Sequence, residues 1–93
     1  MKQITNNKEI VFGKSTAKRL LVEMYNHRFR KNYTTRLAKE IKCTQSGCAI
    51  NINLLEKMGL ITKNKAETMK ILILTDKGET IARLLSEIEE NLK

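Results

Sequence analysis

Residues 37–61 read LAKEIKCTQSGCAININLLEKMGLI, and the predicted fold rests mainly on this segment. Apolar residues at helical spacing occur in it twice, first as Leu37, Ala38 and Ile41 and then as Cys48, Ile52 and Leu55. Between the two sets, Cys43-Thr44 forms a corner, and the Thr44 hydroxyl is suited to cap the second helix. Gly59 ends that helix, because glycine adopts the left-handed conformation without steric cost. The stretch therefore predicts a helix, a corner, a second helix and the start of a strand.

The flanking sequence extends this pattern in both directions. A preceding helix is indicated by Ala17, Leu20, Leu21 and Met24, with Ser15 or Thr16 as its cap, and Thr34 or Thr35 caps the next helix. Two strands, 61–64 and 69–74, are joined by a polar tip at residues 65–68. Thr75 then caps a last helix at about residues 75–92. The predicted fold class is α+β, a three-helix body with a strand hairpin and a C-terminal helix.

Composition and charge narrow the function classes. The 93 residues are 41% apolar and 30% charged, which fits one small folded domain spanning residues 1–93. Apolar runs fall short of the ~20 residues of a membrane span, and the N-terminus lacks the apolar core of a signal peptide. We therefore expect a cytoplasmic protein with no membrane partner. Net charge is +10 over residues 1–74 and −2 over residues 75–93, so the first part predicts a polyanionic partner.

The helix that follows Thr44 has a free outer face. With Cys48 at the centre of the buried side and 100° per residue, the outward residues are Ser46, Ala49, Ile50, Asn53 and Lys57. Such a face fits the major groove of DNA, which admits an α-helix. Gln45 lies near the helix start, and either Gln45 or Asn53 can pair bidentately with adenine.

Three segments, LAKEIKCTQSGC at 37–48, LLEKMGLI at 54–61 and LTDKG at 74–78, resemble winged helix-turn-helix transcription regulators of the MarR and ArsR type and their small archaeal relatives. The resemblance covers about residues 16–85. It implies a two- or three-stranded wing and a homodimer on double-stranded DNA. It also implies that the wing contacts phosphate or the minor groove, that the terminal helix makes the dimer contact, and that the residues near bases are Thr44, Gln45, Ser46 and Ala49.

The outer face departs from that family, which usually has basic residues at several of the positions that match Ile50, Asn51, Asn53 and Leu54. Two interpretations follow. Either Ile50 contacts thymine methyl groups in an A·T-rich site, or Ile50 and Leu54 form an apolar face that binds protein. A third hypothesis is a non-specific architectural DNA-binding protein.

Polar residues beside this face fit contacts with the DNA backbone. They lie around the second helix, at the end of the helix that follows Thr44 and along the wing, and the set is Arg28, Arg30, Lys31, Thr35, Arg36, Lys57, Lys63, Lys65 and Lys70. A dimer that used three or four of the cations per subunit would lose on the order of a thousandfold in affinity between low and moderate salt. The alternative is a solvated basic surface.

Other reactive residues do not assemble into a catalytic site. GKST at residues 13–16 resembles the end of a phosphate-binding loop but lacks the first glycine and the surrounding α/β sheet. Cys43, Cys48 and the single His27 do not complete a four-ligand metal site. The two cysteines fit small buried positions, and the alternative is a redox pair, which requires Cα atoms within about 7 Å. We expect no enzymatic activity, no metal and no cofactor.

The terminal helix carries more apolar surface than one small body covers. Its stripe, the candidate dimer surface, is Ile81, Leu84, Leu85, Ile88 and Leu92. The first three are expected to pack on the first helix, and Ile88 and Leu92 to meet a second copy. A twofold dimer would place two recognition helices about 34 Å apart and favour a palindromic site. The sequence carries no signature of an effector ligand.

Overall fold

The computed structural model describes residues 16–64 and 70–92. In chain order the elements are α1 (Thr16–Asn26), α2 (Thr34–Glu40), α3 (Gln45–Lys57), β1 (Ile61–Asn64), β2 (Ile71–Leu74) and α4 (Asp76–Asn91). The predicted order of elements is confirmed. The predicted cap Ser15, the polar tip at residues 65–68 with the wing residue Lys65, and the strand residue Met69 lie outside the described residues. Within the described ranges, no helix is long and apolar enough to cross a membrane.

The strands form one antiparallel hairpin, with Ile61 opposite Leu74. Asn32, in the connection between α1 and α2, adds a single bridge to β2, and the Leu72 N–H donates to the Asn32 carbonyl over 2.8 Å. The sheet is thus two-stranded, with one bridged residue in the place of a third strand. Among the described residues, Asn32 is also the one polar residue buried in the core, and its amide donates to the His27 carbonyl over 3.3 Å. These bonds hold the connection against the hairpin.

One apolar core lies between the helices and the inner face of the hairpin. α1 packs on both α3 and α4, while α3 packs on α2 and β1. The largest fully buried side chains are Leu20, Leu21, Met24, Leu37, Cys48, Ile52, Leu55, Leu60 and Ile61. Each large apolar side chain contributes roughly 1.5–3 kcal/mol on burial. The helical spacing of the first seven therefore fixes how α1, α2 and α3 pack together.

α4 buries part of the predicted stripe, since Leu85 lies in the core and Ile81 packs against it. Gly78, Ala82 and Leu85 are buried, whereas Leu84 is 46% exposed. The expectation that Leu84 packs on α1 is wrong, because two residues beyond Ala82 the helix has turned by about 200°. Leu85 is 4% exposed and belongs to the core. Its inclusion in the dimer surface is therefore corrected too, since a second copy would meet other residues.

Threonine hydroxyls cap two helices as predicted. Thr44 Oγ1 accepts from the Gly47 N–H over 3.1 Å, and Thr75 Oγ1 accepts from the Gly78 N–H over 3.0 Å. The Thr75 hydroxyl also donates to the Gly59 carbonyl over 2.6 Å. One side chain thereby caps α4 and ties its start to the end of α3.

The predicted cap of α2 is wrong. The helix already includes Thr34 and Thr35, its N-cap is Tyr33, and no side-chain hydrogen bond caps it. Tyr33 has an extended backbone, with φ −126° and ψ 153°, directly after the bridge that Asn32 makes to the hairpin. Because Asn32 is bridged to the hairpin, the backbone is still extended at Tyr33, and the helix begins at Thr34.

α3 ends in a Schellman motif. Gly59 takes a φ of 78° and donates its N–H to the Glu56 carbonyl, and Leu60 donates its N–H to the Leu55 carbonyl, each over 3.0 Å. Leu60 is fully buried. The left-handed Gly59 therefore turns the chain out of α3 and into β1 with the helix carbonyls satisfied, as the sequence predicts.

Candidate nucleic-acid interface

The corner between α2 and α3 is built from a second Schellman motif. Lys42 takes a φ of 59°, and the N–H groups of Lys42 and Cys43 donate to the carbonyls of Lys39 and Ala38 over 3.3 and 3.0 Å. A lysine thus stands at the left-handed position that glycine takes after α3. Because Cys43 and Thr44 alone follow Lys42 before α3 begins, these backbone bonds fix the direction in which α3 leaves the corner.

Cys43 and Cys48 occupy the two positions of a hydrophobic staple. Cys43 immediately precedes the Thr44 cap and Cys48 is the fourth residue of α3, and side chains at these positions pack together to fix how the chain enters a helix. Cys48 is fully buried, with its thiol 3.7 Å from the Thr34 carbonyl, and Cys43 is half-buried. Burial, reinforced by the nearby Cys43 thiol, raises the pKa of Cys48 to about 12. Both thiols are free, and their pairing under oxidation stays a hypothesis.

α3 presents the predicted face to the outside. The exposed residues at its start and along its outer side are Thr44, Gln45, Ser46, Ile50, Asn53 and Lys57, and Ala49 is half-buried beside them. Ile50 is the most exposed large apolar side chain of this face, with 61% of its surface exposed. The opposite side of the helix enters the core through Cys48, Ile52 and Leu55. An exposed helix face of this kind fits the width of the DNA major groove.

Gln45 is supported by α2. Its Nε2 donates to Thr35 Oγ1 over 3.2 Å, and both residues are exposed. A hydroxyl group donates or accepts, so the Gln45 amide keeps a hydrogen bond to Thr35 in either orientation. Thr35, predicted as a phosphate contact, therefore lies where it positions a candidate base-reading side chain.

Lys63 of β1 reaches back to α3 across the start of the wing. Its Nζ donates to Asn53 Oδ1 and lies 3.3 Å from Glu56 Oε1, and the side chain is 20% exposed. Lys63 is thus held against α3, and its contact with phosphate stays a prediction. The sequence reasoning missed Glu56. Its i, i+3 spacing from Asn53 is the signal that places both on the side of α3 that faces the wing.

A cleft of about 220 Å³ lies between α3 and the wing. It is lined by Thr34, Ala49, Ile52, Asn53, Lys63, Lys70 and Leu72. Lys70, just before β2, is exposed at its edge. The cleft therefore brings the predicted base-reading residues Ala49 and Asn53 beside two of the predicted phosphate contacts. Thr34, which the sequence offered only as a helix cap, is part of its wall.

The basic connection after α1 lies at a different groove, of about 260 Å³, between this connection and β2. The Arg28 guanidinium lies 4.2 Å from the centre of the Tyr25 ring and 4.8 Å from that of Phe29. Phe29 is 92% exposed, and no sequence signal singled it out. Lys31 lines the same groove. Arg28 is therefore held in a stack of rings on a surface apart from the cleft beside α3.

Arg30 and Arg36, two more of the predicted phosphate contacts, are also engaged within the chain. Arg30 pairs with Glu40, and the hydrogen bond from Arg30 holds the pKa of the Glu40 carboxyl below its usual range. Arg36, on α2, donates to the Lys31 carbonyl over 3.2 Å. The three arginines therefore lie on two different surfaces. Arg36 lies beside Thr35 on α2, whereas Arg28 and Arg30 line the groove along β2.

The outer side of α4 carries an apolar stripe. Leu84, Ile88 and Leu92 are 46%, 47% and 81% exposed, and Ile81 is half-buried at their edge. Their spacing of three and four residues places them along one side of the helix. Residues 16–64 and 70–92 leave this stripe uncovered.

Comparison with known proteins shows which solved structures share this fold. No family model and no curated protein matches the chain. AF1382 from Archaeoglobus fulgidus superposes with a TM-score of 0.81 at 21% identity, over 94% of this chain and 98% of AF1382. MepR, a transcription regulator of the Staphylococcus aureus multidrug efflux pump MepA, superposes with a TM-score of 0.76 at 21% identity, over 91% of this chain and 64% of MepR.

Two further solved structures extend the likeness. ZitR of Lactococcus lactis superposes with a TM-score of 0.75 at 14% identity, over 99% of this chain and 61% of ZitR. MepR in complex with DNA superposes with a TM-score of 0.75 at 20% identity. The chain spans less than two thirds of the length of MepR and of ZitR. The predicted α+β winged helix-turn-helix fold is confirmed: α2 and α3 are its helix-turn-helix, the β1–β2 hairpin is its wing, and solved transcription regulators share it.

Proposed function

We propose that this chain is a cytoplasmic, homodimeric, sequence-specific regulator of transcription that binds double-stranded DNA and catalyses no reaction. The observation that carries the proposal is the exposed outer face of α3, which stands beside a lysine-lined cleft. MepR, which shares the fold, has been solved in complex with DNA, and this supports the same use of the face. In the proposed complex α3 enters the major groove, while α2 and the wing contact the backbone.

Base reading falls to the exposed side chains of α3. Gln45, supported by Thr35, is placed to reach a base edge at the start of the helix. Ile50, being apolar and 61% exposed, suits contact with thymine methyl groups. Arg36, Lys57 and Lys70 are exposed around this face and would contact phosphate.

The uncovered stripe on α4 supports the homodimer. Leu84, Ile88 and Leu92 form an apolar side of a helix that ends with three glutamates among residues 87–90. Pairing of two such stripes across a twofold axis would remove them from water and place two recognition helices about 34 Å apart. A palindromic operator follows from that symmetry.

The decisive experiment is selection of bound sequences from a random duplex pool at physiological salt. We expect an enriched palindrome with half-sites about one helical turn apart. The double substitution Gln45→Ala and Asn53→Ala should abolish the sequence preference, whereas Arg83→Ala on the exposed side of α4 should leave it unchanged. A pool that shows no enrichment with a folded protein would overturn the proposal.

A protein-interaction module is the second candidate function, because Ile50 and Leu54 are 61% and 36% exposed on neighbouring turns of α3. If this candidate is correct, the protein does not bind DNA even at low salt. A third candidate is an architectural protein that coats DNA without sequence preference. It expects that the combined substitution of Lys63 and Lys70 weakens binding to all duplexes equally.

A further inference from the structure

The contact between Asn53 and Lys63 fixes the orientation of an amide. An ammonium group offers only donors, so the atom of Asn53 that meets Lys63 Nζ must be the carbonyl oxygen Oδ1. Lys63 in turn lies 3.3 Å from the Glu56 carboxylate and is 20% exposed, so it has little freedom to move away. The Asn53 amide nitrogen, with its two N–H donors, is therefore the end directed away from the wing lysine.

From this geometry we infer that Asn53 and Lys63 together read the guanine of a G·C pair. Guanine presents two acceptors, N7 and O6, in the major groove, whereas adenine presents the acceptor N7 beside the donor N6–H₂. An asparagine that is free to rotate pairs with adenine by accepting from N6 and donating to N7. In this protein Asn53 Oδ1 already accepts from the Lys63 ammonium group, and the positive charge of that group would also repel the N6–H₂ donor of adenine. The inference rests on the proposed function, because it requires α3 in the major groove.

Lys63 adds donors to the same site. Two of its three N–H groups are accounted for by Asn53 and Glu56, which leaves one for a base or a phosphate. Glu56 is a positioning residue here, since it holds the ammonium against Asn53 and partly neutralises it. Gln45 differs, because its partner Thr35 is a hydroxyl that accepts either orientation of the amide. The structure therefore fixes the orientation in which Asn53 presents its N–H donors, whereas the Gln45 amide can take either orientation.

The test compares selected sequences for the wild type, Lys63→Met and the control Lys70→Met. The wild type should enrich guanine at one position in each half-site, and replacing that base with 7-deazaguanine, which lacks the N7 acceptor, should weaken binding by about tenfold. Lys63→Met frees the Asn53 amide to rotate, so the preference at that position should shift towards adenine. Lys70→Met, at the edge of the same cleft, should weaken binding to every sequence without changing the preferred base.

Two outcomes separate this inference from the proposed function. A specific palindrome whose base preferences are the same for the wild type and Lys63→Met would overturn the inference and leave the function standing. A pool without any enrichment would overturn the function and the inference with it. Should Lys63→Met fail to fold, Glu56→Gln gives the same reading, since weaker hold on Lys63 should reduce the guanine preference while the fold is monitored by circular dichroism.

Discussion

Gly78, in the first turn of α4, crosses the backbone of Leu60 so closely that a Cβ added at Gly78 would lie 1.8 Å from the Leu60 carbonyl oxygen. The same carbonyl accepts a hydrogen bond from the Thr75 N–H over 3.0 Å. The junction LTDKG therefore packs directly on the MGLI segment that ends α3. These two segments carried part of the family resemblance, and the structure gives the physical reason for both: each supplies the glycine that the crossing or the turn requires.

Substituting Gly78→Ala should unfold or strongly destabilise the protein. The new methyl group overlaps backbone atoms that cannot rotate away, so we expect a loss of at least about 3 kcal/mol in the free energy of unfolding. The matched control is Gly59→Ala, where no atom lies within 4 Å of the added Cβ and only the φ of 78° opposes it. That change should cost about 1 kcal/mol. Urea unfolding of both variants measures the difference, and equal losses would contradict the crossing.

Lys42→Gly should stabilise the protein. Lys42 holds a φ of 59°, a conformation that costs a lysine roughly 1 kcal/mol and a glycine almost nothing. Because glycine also loses about 0.4–1 kcal/mol more entropy on folding, we expect a net gain of up to about 0.5 kcal/mol. Lys39→Gly, inside α2, should instead lose about 1 kcal/mol. Thermal unfolding compares the two, and a lower melting temperature for Lys42→Gly would show that the lysine side chain contributes more than the strain removes.

The stabilising contribution of Cys48 should disappear at alkaline pH. Burial raises the pKa of this thiol from 9.0 to about 12, so between those values the unfolded chain loses a proton that the folded chain retains. The free energy of unfolding therefore falls as pH rises above about 9, by up to about 1.4 kcal/mol per pH unit. The stability difference between the wild type and Cys48→Ala, measured with a reductant present, should narrow from pH 9 to pH 10.5. A constant difference would contradict the burial of the thiol.

The salt dependence of DNA binding should identify the phosphate contacts. Lys70 is exposed at the edge of the cleft, and Lys70→Ala should reduce the slope of log affinity against log salt by about 0.9 for each subunit bound. Arg83→Ala removes an equal charge from α4, where Arg83 pairs with Glu87 over 3.2 Å, and should leave the slope unchanged. Titrations of one duplex at several salt concentrations measure the slope. Equal reductions for both variants would indicate general attraction and no defined backbone contact.

An acidic residue on the α4 stripe should separate the proposed dimer. Ile88 is 47% exposed, so Ile88→Asp should destabilise the monomer little. In the dimer the same substitution would place two charges in an apolar contact between copies. We expect a dimer for the wild type and a monomer for Ile88→Asp at tens of micromolar in sedimentation. Arg83→Asp, exposed on the same helix but on the side away from the stripe, is the control and should remain dimeric. A wild-type monomer would contradict the proposal directly.

Much of the fold was predictable because it depends on interactions between residues close in the chain. The caps Thr44 and Thr75, the left-handed Gly59 and the bounds of β1 all follow from side chains within about four residues of where they act. The wrong prediction for the cap of α2 has the opposite cause. Thr34 or Thr35 was predicted as the cap of α2, but a bridge from Asn32 to the distant Leu72 sets where the extended backbone ends. Local helix propensity contains no information about that bridge.

For the candidate site, the residues that face outward from α3 follow from the sequence alone, since a period of 3.6 residues and one buried stripe leave no other face. The positions of Cys43 and Cys48 at the corner follow from it too, because the Thr44 cap fixes both. The hydrogen bonds that those outward side chains can make depend on the folded structure. Lys63 meets Asn53 across ten positions of sequence, and Gln45 meets Thr35 across another ten. Hydrogen-bond orientation is a property of such pairs, so it arises only when folding brings the two partners together.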